Sequence, residues 1–301
     1  MHPALDPTIE TIQVRDDGLV GTFYRPSTPP PWPAVIVVGG SGPGIFGFPG
    51  LMLASQGMAA LALAYFGMPG LPKQFERIPL EYFGTAIAWL QRRGDVRRGA
   101  LAVAGASRGG ELALLLASTY PELRAAISWV GSGLVYGGVV SMGAAPMAGW
   151  TRGGLDVPFA GFDTSAVNLE AGPVTLTPGF LAALADRERV AAAEIPVERI
   201  NGPVLLISGT DDQVWPATVL SEFAVRRLRA HQHPYAVEHL VYEGAGHLIG
   251  PPIPGMNVTM THAVHPIVGL DFAFGGTPQA NTAASNDSWP RILQFLREVF
   301  T

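Results

Sequence analysis

The chain has 301 residues, 48% of them hydrophobic and only 14% charged, so it can bury a large core and does not read as a disordered or scaffold polypeptide. A net charge of −5, with no run of Lys or Arg, leaves no electrostatic footprint for nucleic acid or an anionic membrane. The absence of cysteine excludes disulfides, a thiolate nucleophile and Cys-based zinc or iron–sulfur sites.

Residues 9–15 and 19–25 alternate apolar and polar around Asp16-Asp17-Gly18, the pattern of a β-hairpin. A Pro-rich stretch, 26–33, leads into the β-branched run 34–38, a strand suited to a sheet covered on both faces, which ends in Gly39-Gly40-Ser41-Gly42. Residues 50–56 read as helix and 58–65 as a buried strand. An amphipathic helix is predicted over 79–92, with Pro79 in its first turn. Strand 100–104, helix 107–119 and strand 124–130 follow, then strand 203–208, helix 216–230, strand 236–242 and a last helix 289–299. This alternation predicts an α/β fold, a mostly parallel central sheet with helices on both faces. Two stretches break the rhythm. Residues 132–200, Gly-, Ala- and Pro-rich with a helix-like 181–194, and residues 250–288 read as insertions forming a lid or pocket wall over the site. No repeat or flexible linker interrupts 1–301, so one domain is expected.

Gly105-Ala106-Ser107-Arg108-Gly109 matches G-x-S-x-G. In a chain with 37 glycines the pattern alone is weak, but here it follows an apolar strand and opens a helix, the context of an α/β-hydrolase nucleophile turn. Ser107 is therefore the candidate nucleophile, placed where a helix N-terminus favours developing negative charge. A serine hydroxyl needs a base, and in this fold the order is Ser, acid, His. His247, in Gly244-Ala245-Gly246-His247, follows strand 236–242 and so belongs at the same sheet edge as Ser107. His231 and His233 close a helix without a third ligand nearby, so no metal site is expected, and no cofactor. The acid follows strand 203–208, where Asp211 and Asp212 compete. Asp212 is preferred, four residues before Pro216 as first residue of the next helix, while Asp211 is suited to fixing the loop through backbone hydrogen bonds. For an oxyanion hole, one donor is the backbone amide of Arg108 and the second is assigned to the amide of Ser41.

Five segments carry a family resemblance: LALAYFGMPGLPK (61–73), IPLEYFGTAIAWL (78–90), GASRGGELALLLAS (105–118), IPVERINGPVLLISGTDDQVW (195–215) and YEGAGHLIGPP (242–252). In these the chain resembles the catalytic domain of the acyl-CoA thioesterase and bile acid-CoA:amino acid N-acyltransferase family. The resemblance implies a Ser/Asp/His triad falling on Ser107, Asp212 and His247, acting on an acyl thioester through an acyl-enzyme. Its amino-acid-transferring members use a cysteine nucleophile, so Ser107 implies transfer to water. Arg108 stands where a lysine is common in the family, and Gly250 where an acidic residue is common. The better-known members carry an N-terminal β-sandwich domain, which this chain is expected to lack. The expected substrate is a small-molecule acyl ester or acyl-CoA. The alternatives are a dienelactone-hydrolase-type carboxylesterase, an acyltransferase, and a non-catalytic binding protein on the same scaffold.

The opening MHPALDPTIE has neither a basic nor an apolar signal region, and the chain closes on Phe300-Thr301 without a peroxisomal or ER address. No stretch of about 18 or more apolar residues runs free of Gly, Pro or charge. A cytoplasmic location with no membrane partner is the resulting expectation.

Overall fold

A computed structural model of the chain describes residues 8–139, 145–170, 172–252 and 258–301. The opening segment with His2, and the parts of the two insertions at 140–144, 171 and 253–257, lie outside the described residues. In chain order the strands are β1 (Glu10–Val14), β2 (Val20–Arg25), β3 (Trp32–Val38), β4 (Ala59–Ala64), β5 (Ile78–Pro79), β6 (Val96–Ala106), β7 (Leu123–Trp129), β8 (Trp150–Arg152), β9 (Leu155–Asp156), β10 (Val204–Gly209), β11 (Val237–Tyr242), β12 (His262–Val264) and β13 (Asp271–Ala273). The α-helices are α1 (Phe48–Ala54), α2 (Glu81–Gln91), α3 (Arg108–Thr119), α4 (Thr177–Ala183), α5 (Arg187–Ala193), α6 (Ala217–Ala230) and α7 (Pro278–Val299).

Eight strands form the main sheet in the order β1-β2-β4-β3-β6-β7-β10-β11. The β1/β2 and β2/β4 pairs are antiparallel, and every pair from β4 to β11 is parallel. Period-2 alternation sorts the central strands into two cores. Leu61, Leu63, Leu101 and Val103 face α2 and α3, whereas Ala60, Ala62, Ala102 and Ala104 face the side covered by α1 and α7. Alanines there let Met52 and Leu53 of α1 and Trp289, Ile292 and Leu293 of α7 lie close on the sheet. A sheet this apolar on both faces is stable only when helices cover both, and this is the α/β-hydrolase arrangement.

Four expectations need correction. Pro79 is not in a helix: it pairs with Thr151 in the small β5-β8-β9 sheet, and α2 starts at Glu81. Pro216 caps α6 from outside rather than opening it. The helix over 181–194 is two short ones, because the Asp186 side chain accepts from Arg189 N and starts α5 afresh. The last helix begins at Pro278, not 289, so the second insertion ends at Thr277. Pro290 sits inside α7 on its exposed face, where the carbonyl left without a partner one turn back can bond water.

Among the described residues no helix is long and apolar enough to cross a membrane.

Candidate active site

Ser107 joins β6 to α3 with φ 58 and ψ −122, a conformation that non-glycine residues rarely adopt and that costs about 1–3 kcal/mol. The turn is held by the Ser107 N–H donating to Trp129 O at 2.8 Å and by Gly110 N donating to Ser107 O at 2.8 Å. It closes only because both flanking glycines lack a side chain. A Cβ on Gly105 would overlap the Gly109 carbonyl, and one on Gly109 would overlap the carbonyl oxygens of Val38 and Gly39. The packing that fixes these glycines thus brings the end of β3 against the Ser107 turn.

His247 lies on the loop after β11. Its Nε2 is 2.9 Å from Ser107 Oγ and its Nδ1 is 2.7 Å from Asp212 Oδ2. An ionised carboxylate only accepts, so Nδ1 carries the proton and Nε2 is free to accept from the serine hydroxyl. The other oxygen of Asp212 accepts from Val214 N at 3.0 Å and Trp215 N at 3.3 Å. Burial pushes the Asp212 carboxyl above its ordinary range, opposed by His247 and by these two backbone donors. The imidazole stands between the edge of Trp215 and the stacked face of Phe274, each with ring centroids 6.4 Å away.

Asp211 is turned elsewhere. Its Oδ2 accepts from Gly276 N at 2.9 Å, so of the two aspartates only Asp212 meets the imidazole. Ser41 lies in the loop after β3, with its Oγ 3.0 Å from His265 Nε2 across from the second insertion. Its neighbour Gly40 approaches Ser107 directly, since a Cβ there would stand 3.2 Å from Ser107 Cβ. Arg108 occupies the first position of α3, where its backbone N–H is one of those left free by helix geometry. His233 is engaged with a backbone carbonyl, its Nε2 3.0 Å from Gly202 O. Among the described residues no group of three His, Cys, Asp or Glu could hold a metal ion.

One residue from each insertion bonds the backbone of Asp212 or His247. Thr177 Oγ1 donates to Asp212 O at 2.8 Å from the first, and His247 N donates to Phe274 O at 2.8 Å from the second.

Sequence reasoning missed a buried polar network beneath Ser107. The Arg108 guanidinium pairs with Glu111 Oε2 at 2.8 Å, donates to Tyr136 O at 2.8 Å and lies over the Phe75 ring. Glu111 also accepts from Trp150 Nε1 at 2.8 Å and Tyr136 N at 3.2 Å. Burial pushes its carboxyl up to about 7, against the Arg108 charge and these two N–H donors. The network ties the first turn of α3 to the first insertion. A lone Glu in the apolar helix run 109–117 was its one sign in the sequence. Glu111→Ala leaves Arg108 buried without its counter-ion and should cost about 3–5 kcal/mol in urea unfolding. A loss below about 1 kcal/mol would show that the pair is dispensable.

Residues 78–301 match the family described as BAAT / Acyl-CoA thioester hydrolase C terminal. The chain is 28% identical to mouse mitochondrial acyl-coenzyme A thioesterase 2, over 98% of this chain and 61% of that protein. It is 30% identical to human acyl-coenzyme A thioesterase 1, over 98% of this chain and 66% of that protein. The mouse peroxisomal succinyl-coenzyme A thioesterase is 28% identical, over 96% and 65%. The chain thus spans roughly two thirds or less of the length of these relatives. Among solved structures, a Mycobacterium tuberculosis puromycin-hydrolyzing peptidase superposes with a TM-score of 0.59 at 18% identity, covering 97% of this chain and 39% of that one. A dienelactone hydrolase-like promiscuous phosphotriesterase from metagenomic libraries gives 0.54 at 18% identity, covering 98% and 99%. Both likenesses are of fold.

Proposed function

This chain belongs to the BAAT / acyl-CoA thioester hydrolase C-terminal family, and on that premise we propose that it hydrolyses acyl thioesters of the acyl-CoA class through an acyl-enzyme on Ser107. The observation that carries the reading is the unbroken chain of hydrogen bonds from Ser107 Oγ through His247 to Asp212.

The chemistry follows from that arrangement. His247 Nε2 takes the hydroxyl proton as Ser107 Oγ attacks the acyl carbonyl, and Asp212 stabilises the imidazolium that forms. The tetrahedral oxyanion is met by the amide of Arg108 and by an amide of the loop after β3, that of Ser41. Collapse breaks the C–S bond, and the leaving thiolate takes the proton from His247. A water molecule then repeats the sequence on the acyl-enzyme, with His247 first as base and then as acid, releasing the carboxylic acid. With a serine rather than a cysteine nucleophile, water is the acceptor in this scheme.

Turnover of an acyl-CoA, a p-nitrophenyl ester of the same acyl chain and a small lactone by the purified protein tests the reading. The thioester should give the highest kcat/KM. Lactone or oxyester hydrolysis exceeding it by about tenfold or more would overturn the thioester assignment in favour of an oxyester hydrolase. No turnover of any of the three would favour a binding role.

A further inference from the structure

The loop Gly39-Gly40-Ser41-Gly42 has no side chain at its first two positions to hold it. Glycine peptides reorient readily, so an oxyanion amide on this loop needs an external anchor. That anchor comes from the neighbouring strand. Tyr65 directly follows β4, which lies beside β3 in the sheet, and its hydroxyl stands 2.6 Å from Gly40 O and 2.9 Å from Gly39 O. The phenol ring is only 2% exposed and is clamped by Phe66, Phe75, Phe83 and Trp150. Burial pushes the phenol well above its ordinary value, so it remains a donor.

Peptide planarity converts that contact into an orientation. In a trans peptide the N–H points opposite to the C=O of the same unit. Drawing the Gly39 and Gly40 carbonyls toward one hydroxyl therefore turns the N–H groups of Gly40 and Ser41 away from it, as two consecutive donors, an arrangement suited to an anion. Gly40 itself lies against the nucleophile, a Cβ there standing 3.6 Å from Ser107 Oγ. Without the hydroxyl the Gly39 carbonyl, which is buried, would lose a hydrogen-bond partner and the peptides would be free to swing, taking their N–H groups along.

We infer that Tyr65 is a positioning residue for the oxyanion hole, its hydroxyl pinning the Gly39 and Gly40 carbonyls so that the amides of Gly40 and Ser41 face the charge that develops on the acyl carbonyl. The inference rests on Ser107 being the nucleophile. It also widens the donor assignment, since Gly40 N–H joins Ser41 N–H as a candidate.

Tyr65→Phe removes the hydroxyl and keeps the ring, and Tyr82→Phe is its control. Tyr82 is a second tyrosine whose hydroxyl bonds backbone, accepting from Val20 N at 3.0 Å and donating to Ala64 O at 2.6 Å, but it serves the sheet rather than the loop. Tyr65→Phe should lower kcat about tenfold with KM within about twofold, a loss smaller than deleting a whole oxyanion donor gives. Affinity for a boronic acid that forms a tetrahedral adduct on Ser107 should fall by the same factor, while affinity for the product carboxylic acid stays unchanged. Tyr82→Phe should lose comparable thermal stability and keep its kcat. Incorporating 3-fluorotyrosine at 65 keeps both ring and donor, so kcat at the wild-type level is expected there. The inference is overturned if Tyr65→Phe keeps kcat within about twofold, if both Phe variants lose kcat equally, or if the fluorotyrosine protein loses kcat like Phe. A wild type that turns over no acyl substrate and is not labelled at Ser107 by a fluorophosphonate sinks the nucleophile and the inference with it. An active, labelled wild type beside an unimpaired Tyr65→Phe sinks the inference alone.

Discussion

Ser107→Ala should lower kcat/KM for an acyl thioester by at least about ten-thousandfold while leaving the unfolding temperature nearly unchanged. The size of the loss follows from the geometry, because Ser107 Oγ is the atom held 2.9 Å from His247 Nε2 at the mouth of the turn. What stays behind is the imidazole, its aspartate and the backbone amides, which can still orient a water molecule weakly. Stability should hardly move, since the side chain is half-buried and the turn is fixed by Ser107 backbone bonds and by the glycines at 105 and 109. Steady-state turnover and fluorophosphonate labelling provide the measurements. A variant that retains more than about one hundredth of wild-type activity would remove Ser107 from the chemistry.

The two adjacent aspartates should separate as sharply. Asp212→Asn should cost about ten-thousandfold in kcat, for a reason visible in the donors around it. Val214 N and Trp215 N both point at Oδ1, so an asparagine places its oxygen there and its NH2 toward His247 Nδ1. An NH2 facing Nδ1 forces the other tautomer, with the proton on Nε2, and the imidazole can no longer accept from Ser107. Asp211→Asn keeps an oxygen for Gly276 N and should stay within about threefold of wild type. Measuring kcat for both variants decides it, and a reversed order would reassign the acid.

The features legible in the sequence were those written in neighbouring residues. The Ser107 turn is local, its glycines and flanking apolar run lying within a dozen positions. Asp212 was reachable because it follows the apolar run of β10, and His247 because it sits in a glycine-rich loop just after β11. The misreadings occurred where a distant partner decides. Pro79 is a strand residue because segment 150–151 pairs beside it, some seventy positions later. The true start of α7 was signalled by Thr277 capping Ala280 N with Pro278 in the first turn, whereas the reading from 289 left out the turns before Pro290, which is an exposed interruption of the helix. Tyr65, Phe274 and Glu111 could not have been assigned at all. Their roles depend on contacts made 25 or more positions away along the chain, which no neighbouring residue announces.

Residues 274–281, which lead into α7, strap the loops that carry Asp212 and His247. Phe274 O accepts from His247 N, Gly275 bridges Asp212, Gly276 N donates to Asp211, and the Asn281 side chain accepts from Gly246 N at 2.7 Å. Both the acid loop and the base loop are thus strapped by residues made after them. On the ribosome, a nascent chain extended just past His247 already contains every residue of the hydrogen-bonded relay, and the bonds from Thr210 and Asp211 to 242–245, but lacks the straps from 274–281. The full set of bonds around the relay therefore needs 274–281 to have left the exit tunnel and α7 to lie on the alanine face of the sheet, so that a chain cut short by translation carries the serine turn without the straps on its two partner loops.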